Sequence, residues 1–143
     1  MREIKFRGKR VDNGEWVYGH YGTSVEEDEI GAGCYFMRTQ TELHYISDVT
    51  GNPSFLVDHN TVGQYTGLKD KKSVEIYEWD VIDFDDNNEL SECWRGLVEF
   101  KMNGWQCNDI HESNWMWVED LQNNNQVEGI VIGNIHDNPE LLD

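Results

Sequence analysis

The residues with the clearest chemical potential are carboxylates. Asp80, Asp83, Asp85 and Asp86 crowd one short segment, and Glu99-Phe100-Lys101 follows on the next apolar-alternating run. On adjacent strands such groups can hold Mg²⁺ through oxygen ligands while a lysine orients the attacking water. Asp83, Asp85, Glu99 and Lys101 would then form a metal-dependent hydrolase or nuclease. Against this, Glu-x-Lys arises on any exposed strand because alternate outward positions are charged, and the flanking helices such a nuclease needs are not visible. The segment therefore reads as a solvated strand face, with the hydrolase kept as the alternative.

Other chemistries lack their residues. No Ser, Cys or Thr has a histidine beside it, and Gly31-Ala32-Gly33 is too short for a phosphate-binding loop. Cys34, Cys93 and Cys107 form no CxxC pair, and the five histidines stand singly, so no disulfide framework, metal or cofactor is expected.

Charge is the second source of chemistry. Eleven Lys and Arg stand against 28 Asp and Glu, a net of −17 over 143 residues. Five of those bases lie in residues 1–10, leaving the other 133 with a net of −21. Such a surface repels phosphate backbones and anionic lipid, so direct nucleic-acid or membrane binding is not expected. Trp16, Tyr18, Trp79, Trp105, Trp115 and Trp117 supply faces for base stacking but no basic groove, and are assigned to core and interface packing. The basic strip Lys5, Arg7 and Lys9 is the natural contact for an acidic partner, including another copy of the chain. The opening MREIKFRGKR lacks an apolar signal region and no apolar run approaches a membrane span, so a cytoplasmic location is expected.

The elements that must position these groups follow a period of two, which predicts a mainly β protein with little helix. Strands are expected at 3–11, 15–23, 76–84, 97–102, 105–109 and 127–135, with less than about a fifth of residues helical. Asp12-Asn13-Gly14 and Asn103-Gly104 supply the hairpin turns. The run at 25–29, with four consecutive carboxylates, reads as a solvated loop, and short strands are expected at 34–39, 42–46 and 55–57. A parity change between Val81 and Ile82 predicts a bulge or bend near Asp80. The stretch NWMWVEDL at 114–121 fits neither a strand nor a helical turn cleanly. The run at 127–135, apolar on both faces, is expected to be a central covered strand.

Residues 4–19 (IKFRGKRVDNGEWVYG), 61–68 (TVGQYTGL), Lys69-Asp70, Glu75-Ile76-Tyr77-Glu78, Asp80-Val81-Ile82 and 131–142 (VIGNIHDNPELL) together resemble the YopX-like family of phage and prophage proteins. The resemblance runs in order over nearly the whole chain. It implies an SH3-like small β-barrel over 59–143 with an N-terminal β hairpin and extension over 1–58, as two parts or as one compact unit. It also implies a phage-encoded protein of the host cytoplasm, with no biochemical activity established for the family. A non-enzymatic module that binds a protein or self-assembles is the expectation, with Lys5, Arg7, Lys9 and Trp79 at its contacts. Apart from the resemblance, the carboxylates at 26–29 and 80–92 read as a solvated coat that keeps the chain soluble, with a basic groove on a host nucleic-acid-binding protein as the alternative contact. The chain departs from the family at Trp79, where glycine is usual, and at Lys72-Ser73-Val74, where an Asn-Gly turn is usual. Since a bulky residue avoids glycine's φ range, either a different turn or a pocket for the ring is expected at Trp79.

Overall fold

A computed structural model describes residues 3–32, 35–48, 50, 51, 53–84, 94–111 and 114–143. The protein is mainly β, and the described residues contain no α-helix, only 3-10 turns at His59–Thr61, Val118–Leu121 and Pro139–Leu142. The chain divides into two compact units, Lys5–Val62 and one built on Gly63–Asp143.

In the first unit β1 (Phe6–Lys9) pairs antiparallel with β2 (Trp16–Ala32), β2 with β3 (Tyr35–Ser47), and β3 with β4 (Ser54–Leu56). Gly14, at φ +71, closes the first hairpin, and its N–H donates to Arg10 O at 2.9 Å. Ile46 and Val57 are buried, and Gly8 packs so closely on both that a Cβ would meet them at 3.2 Å. The acidic run at 25–29, expected as a loop, lies inside β2, with Glu26 opposite Thr41 and Glu27 opposite Gln40. Adjacent strand residues project to opposite faces, so Glu26 and Glu27 stay apart and solvated, and Gln40 Nε2 donates to Glu27 Oε1 at 2.8 Å. The expected breaks within 34–46 are likewise absent along β3, where described.

The second unit contains two sheets. In one, β6 (Glu75–Tyr77) pairs antiparallel with β5 (Gly63–Asp70), β12 (Gln126–Val127) pairs parallel with β5, and β11 (Gln122–Asn123) pairs with β12. In the other, β7 (Asp80–Asp83), β8 (Arg95–Lys101), β9 (Gly104–Asp109), β10 (Trp115–Trp117) and β13 (Ile130–Asn134) take the order β10-β9-β8-β7-β13. That five-stranded path is open among the described residues; it does not draw the closed SH3-like barrel. Strand β13, expected in the centre, is at one end, and its Ile132 is exposed. Between the sheets Leu68, Ile76, Ile82, Val98, Trp105, Cys107, Val118 and Val127 form the core.

Among the positive-φ residues of this unit, Ser73 and Trp79 flank β6. Trp79 adopts φ +72, correcting the expectation that it would avoid glycine's region, and Ser73 adopts φ +67. The expected bulge or bend near Asp80 is found: a tight turn joins β6 to β7, and opposite Val81 and Ile82 the register of β13 shifts between Val131 and Gly133. Trp79 N donates to Val98 O at 2.8 Å, and Ile135 N donates to Trp79 O at 3.1 Å, so both sides of its peptide are anchored. Asp80, buried, accepts from Tyr77 N at 2.8 Å and closes the turn.

Asp70 does more. Fully buried, it accepts from Lys72 N at 2.8 Å and Val74 N at 2.9 Å on Oδ1, and from Val131 N at 2.9 Å on Oδ2. One carboxylate ties the β5–β6 turn to β13. Asp70→Ala removes a fully buried acceptor from three backbone N–H groups and is expected to cost about 3 kcal/mol, read from denaturant unfolding. Ser73→Gly removes an unfavourable left-handed side chain and, after the entropy of glycine, is expected to raise stability by up to about 1 kcal/mol, while Ser73→Ala gives no gain.

Candidate functional site

The carboxylates do not converge where they are described. Asp83 lies opposite Arg95 in register, and Arg95 Nε approaches Asp83 Oδ2 at 3.4 Å. Glu99, four residues further along β8, accepts from Lys101 Nζ at 2.7 Å and Asn108 Nδ2 at 2.6 Å. Four strand residues span about 13 Å, far beyond the reach of one shared cation. Asp80 is committed to its turn. Asp85 and Asp86 lie outside the described residues. Among the described residues no group of three His, Cys, Asp or Glu could hold a metal.

The basic strip is also not the outward face expected. Arg7 is buried at 6% exposure and its guanidinium sits 4.7 Å over the Trp16 ring. Lys9 Nζ lies 5.4 Å over the same ring, and Lys5 is half-buried. Cation–π attraction turns these bases onto an aromatic of their own hairpin. Trp79 is half-buried in its turn.

A groove of about 500 Å³ in the first unit is lined by Lys9, Arg10, Glu42, His44, Asp58 and His59, among others. Its polar groups serve the fold. Arg10 pairs with Asp12, His44 Nδ1 with the Tyr21 hydroxyl, and Asp58 caps the 3-10 turn through Asn60 N.

The feature not spent on the fold lies at the other end of the chain. Strands β8 and β9 form a hairpin in which Phe100 faces Trp105 and Lys101 faces Gly104. The turn residues are Met102 (φ +52) and Asn103 (φ +61), one position earlier than Asn103-Gly104. Beyond β9 the chain returns as β10, Trp115 opposite Asn108 and Trp117 opposite Gln106, and β10 stands at the free end of its sheet path. NWMWVEDL thus resolves into strand followed by 3-10 turn. Val118 dives into the core and is fully buried, which swings Glu119 and Asp120 beside the hairpin tip.

Here Phe100 (52%), Met102 (78%), Trp115 (44%) and Met116 (45%) are all exposed. The rings meet edge to face, Phe100 with Trp105 at 5.0 Å and Trp115 with Trp117 at 5.1 Å. Phe100, Met102, Gly104, Trp105, Trp117 and the carboxylates line a notch of about 380 Å³. Register puts Phe100 and Met116 on the face of Val98 and Cys107 and puts Trp115 and Trp117 on the opposite face, so exposed apolar groups flank this end of the sheet on both sides beside charge, a mark of an interaction surface. The sequence signal was present, since Phe100 and Met102 continue the apolar face of Val98 past the point where the core ends.

The chain matches the family described as YopX protein over residues 5–143, and it belongs to that family. No curated protein matches it at a significant level. Among solved structures it is similar to protein EF1440 from Enterococcus faecalis, with 19% identity, a TM-score of 0.48 and 100% of each chain covered. No helix among the described residues is long and apolar enough to cross a membrane.

Two titrations follow from burial. Desolvation, with Asp109 adding a smaller push, raises the Cys107 thiol to about 12. It ionises near 9 when unfolded, so its contribution leaves stability unchanged below pH 9 and lowers it as pH rises beyond. With Cys34 and Cys93 replaced by serine, the native protein is expected to resist iodoacetamide at neutral pH and the urea-unfolded protein to react; rapid native labelling would contradict this burial. Burial likewise raises Glu78, which therefore opposes folding increasingly as pH rises through its unfolded value of 4.5.

Proposed function

We propose that this protein is a non-enzymatic, phage-type protein-binding module whose β8–β10 face docks a basic segment of a protein partner. The observation that supports it is the exposed cluster of Phe100, Met102, Trp115 and Met116. Residues 63–143 carry 18 acids against five bases, a net of −13, so the complement of this face is basic. Membership of the YopX family favours phage or prophage origin, and a host nucleic-acid-binding protein is the kind of basic partner such a surface fits. The hydrolase alternative is disfavoured by the separation of Asp83 from Glu99.

Short extended peptides rich in Lys and Arg are expected to bind with micromolar affinity, read by tryptophan fluorescence, weakening steeply between low and physiological salt. Trp115→Ala with Trp117→Ala is expected to weaken binding at least about tenfold without loss of folding, as aromatic anchors at interface centres do. Equal binding by the double variant would place the contact elsewhere.

A further inference from the structure

We propose that the notch at the β8–β9 turn is an arginine pocket: it takes one Arg side chain of the docked segment and discriminates it from Lys. The inference rests on the protein-binding reading above and adds the ligand chemistry. Three features of the notch carry it. Its walls are aromatic and thioether groups, Phe100, Trp105, Trp117 and Met102, and its rim carries Glu119 and Asp120, with no Lys or Arg among the lining residues. Weakly hydrated planar cations favour such surroundings.

The second feature is that Trp117 is seated rather than loose. Its six-membered ring lies over Gly104 so closely that a Cβ there would fall 2.6 Å from Cζ3 and 3.1 Å from Cε3. The ring is therefore held against the backbone of the β9 strand, and Trp115 braces it edge-on at 5.1 Å. A wall fixed in this way loses little entropy on binding.

The third is the placement of the acids. Val118, fixed in the core at 0% exposure, sets the start of the 3-10 turn Val118–Leu121, so Glu119 and Asp120 are delivered to the notch by packing. A guanidinium can lie flat on an indole while its edge N–H groups donate to a carboxylate; a lysine ammonium has no flat face to offer and sheds its water at greater cost. Arginine satisfies aromatic wall and acidic rim together.

The test uses the full chain and short Gly/Ser peptides with a lysine on either side of a central Arg, Lys or citrulline, the last a neutral isostere of Arg. Fluorescence titration at low salt is expected to show the Arg peptide binding roughly tenfold more tightly than either. Gly104→Ala, which unseats Trp117 without altering any charge, and Asp120→Asn, which removes one rim charge, are each expected to erase the preference; thermal melting confirms that both remain folded. If Arg and Lys peptides bind equally, the arginine pocket is wrong while the binding reading stands. If Arg is preferred but Gly104→Ala and Asp120→Asn leave the preference intact, the notch is not its site. If none of the peptides binds, both readings fall.

Discussion

A single buried carboxylate organises the larger unit. Asp70 receives three backbone N–H groups, two from the turn that follows it and one from Val131, sixty-one residues away in sequence. Losing all three bonds at this fully buried acceptor would cost more than a surface ion pair contributes. With the turn closed, Ser73 is driven to positive φ and β6 returns along β5, placing Ile76 and Tyr77 inside. Asp80 repeats the device on a smaller scale. Acidity in this protein is thus of two kinds, a few carboxylates that hold backbone together from within and many that face water.

That division explains the candidate surface. Along β8 the buried core residues end at Val98; Phe100, level with Trp105, is exposed, and the turn places Met102 beyond it. Apolar side chains past the end of a core gain nothing for the fold, and evolution ordinarily replaces them with charge. Glu119 and Asp120 reach the same place because Val118 must be buried. Aromatic surface and negative charge therefore share one location as a consequence of how β10 and its following turn are packed.

Much of this was legible from residue patterns. Alternation of Val98, Phe100 and Met102 against Glu99 and Lys101 set the strand and its facing residues, and only the turn slipped by one, since Met102 as well as Asn103 adopts left-handed backbone. Strand β5 was missed because TVGQYTGL does not alternate: Thr66 is buried, its hydroxyl donating to Ile76 O at 2.9 Å, so a polar residue occupies an inward place. The acidic part of β2 was hidden by reading charge along the sequence rather than across alternate faces. Arg7 was misplaced for a related reason, because a base that can stack on Trp16 need not point to solvent. The carboxylate constellation failed on distance, which spacing in sequence does not encode. The notch was not visible at all, because Gly104, Trp117 and Asp120 meet only after two chain reversals.

The central claim is that the β8–β10 face, and not the basic hairpin or the acidic ribbon, is where a partner docks. It is tested most directly by following the six indole N–H resonances in a nitrogen-15 spectrum as an arginine-containing peptide is added. The account predicts saturable shifts for Trp115, Trp117 and Trp105, with Trp16, Trp79 and Trp94 unmoved. Shifts confined to Trp16, or small drifts spread evenly over all six without saturation, would contradict it.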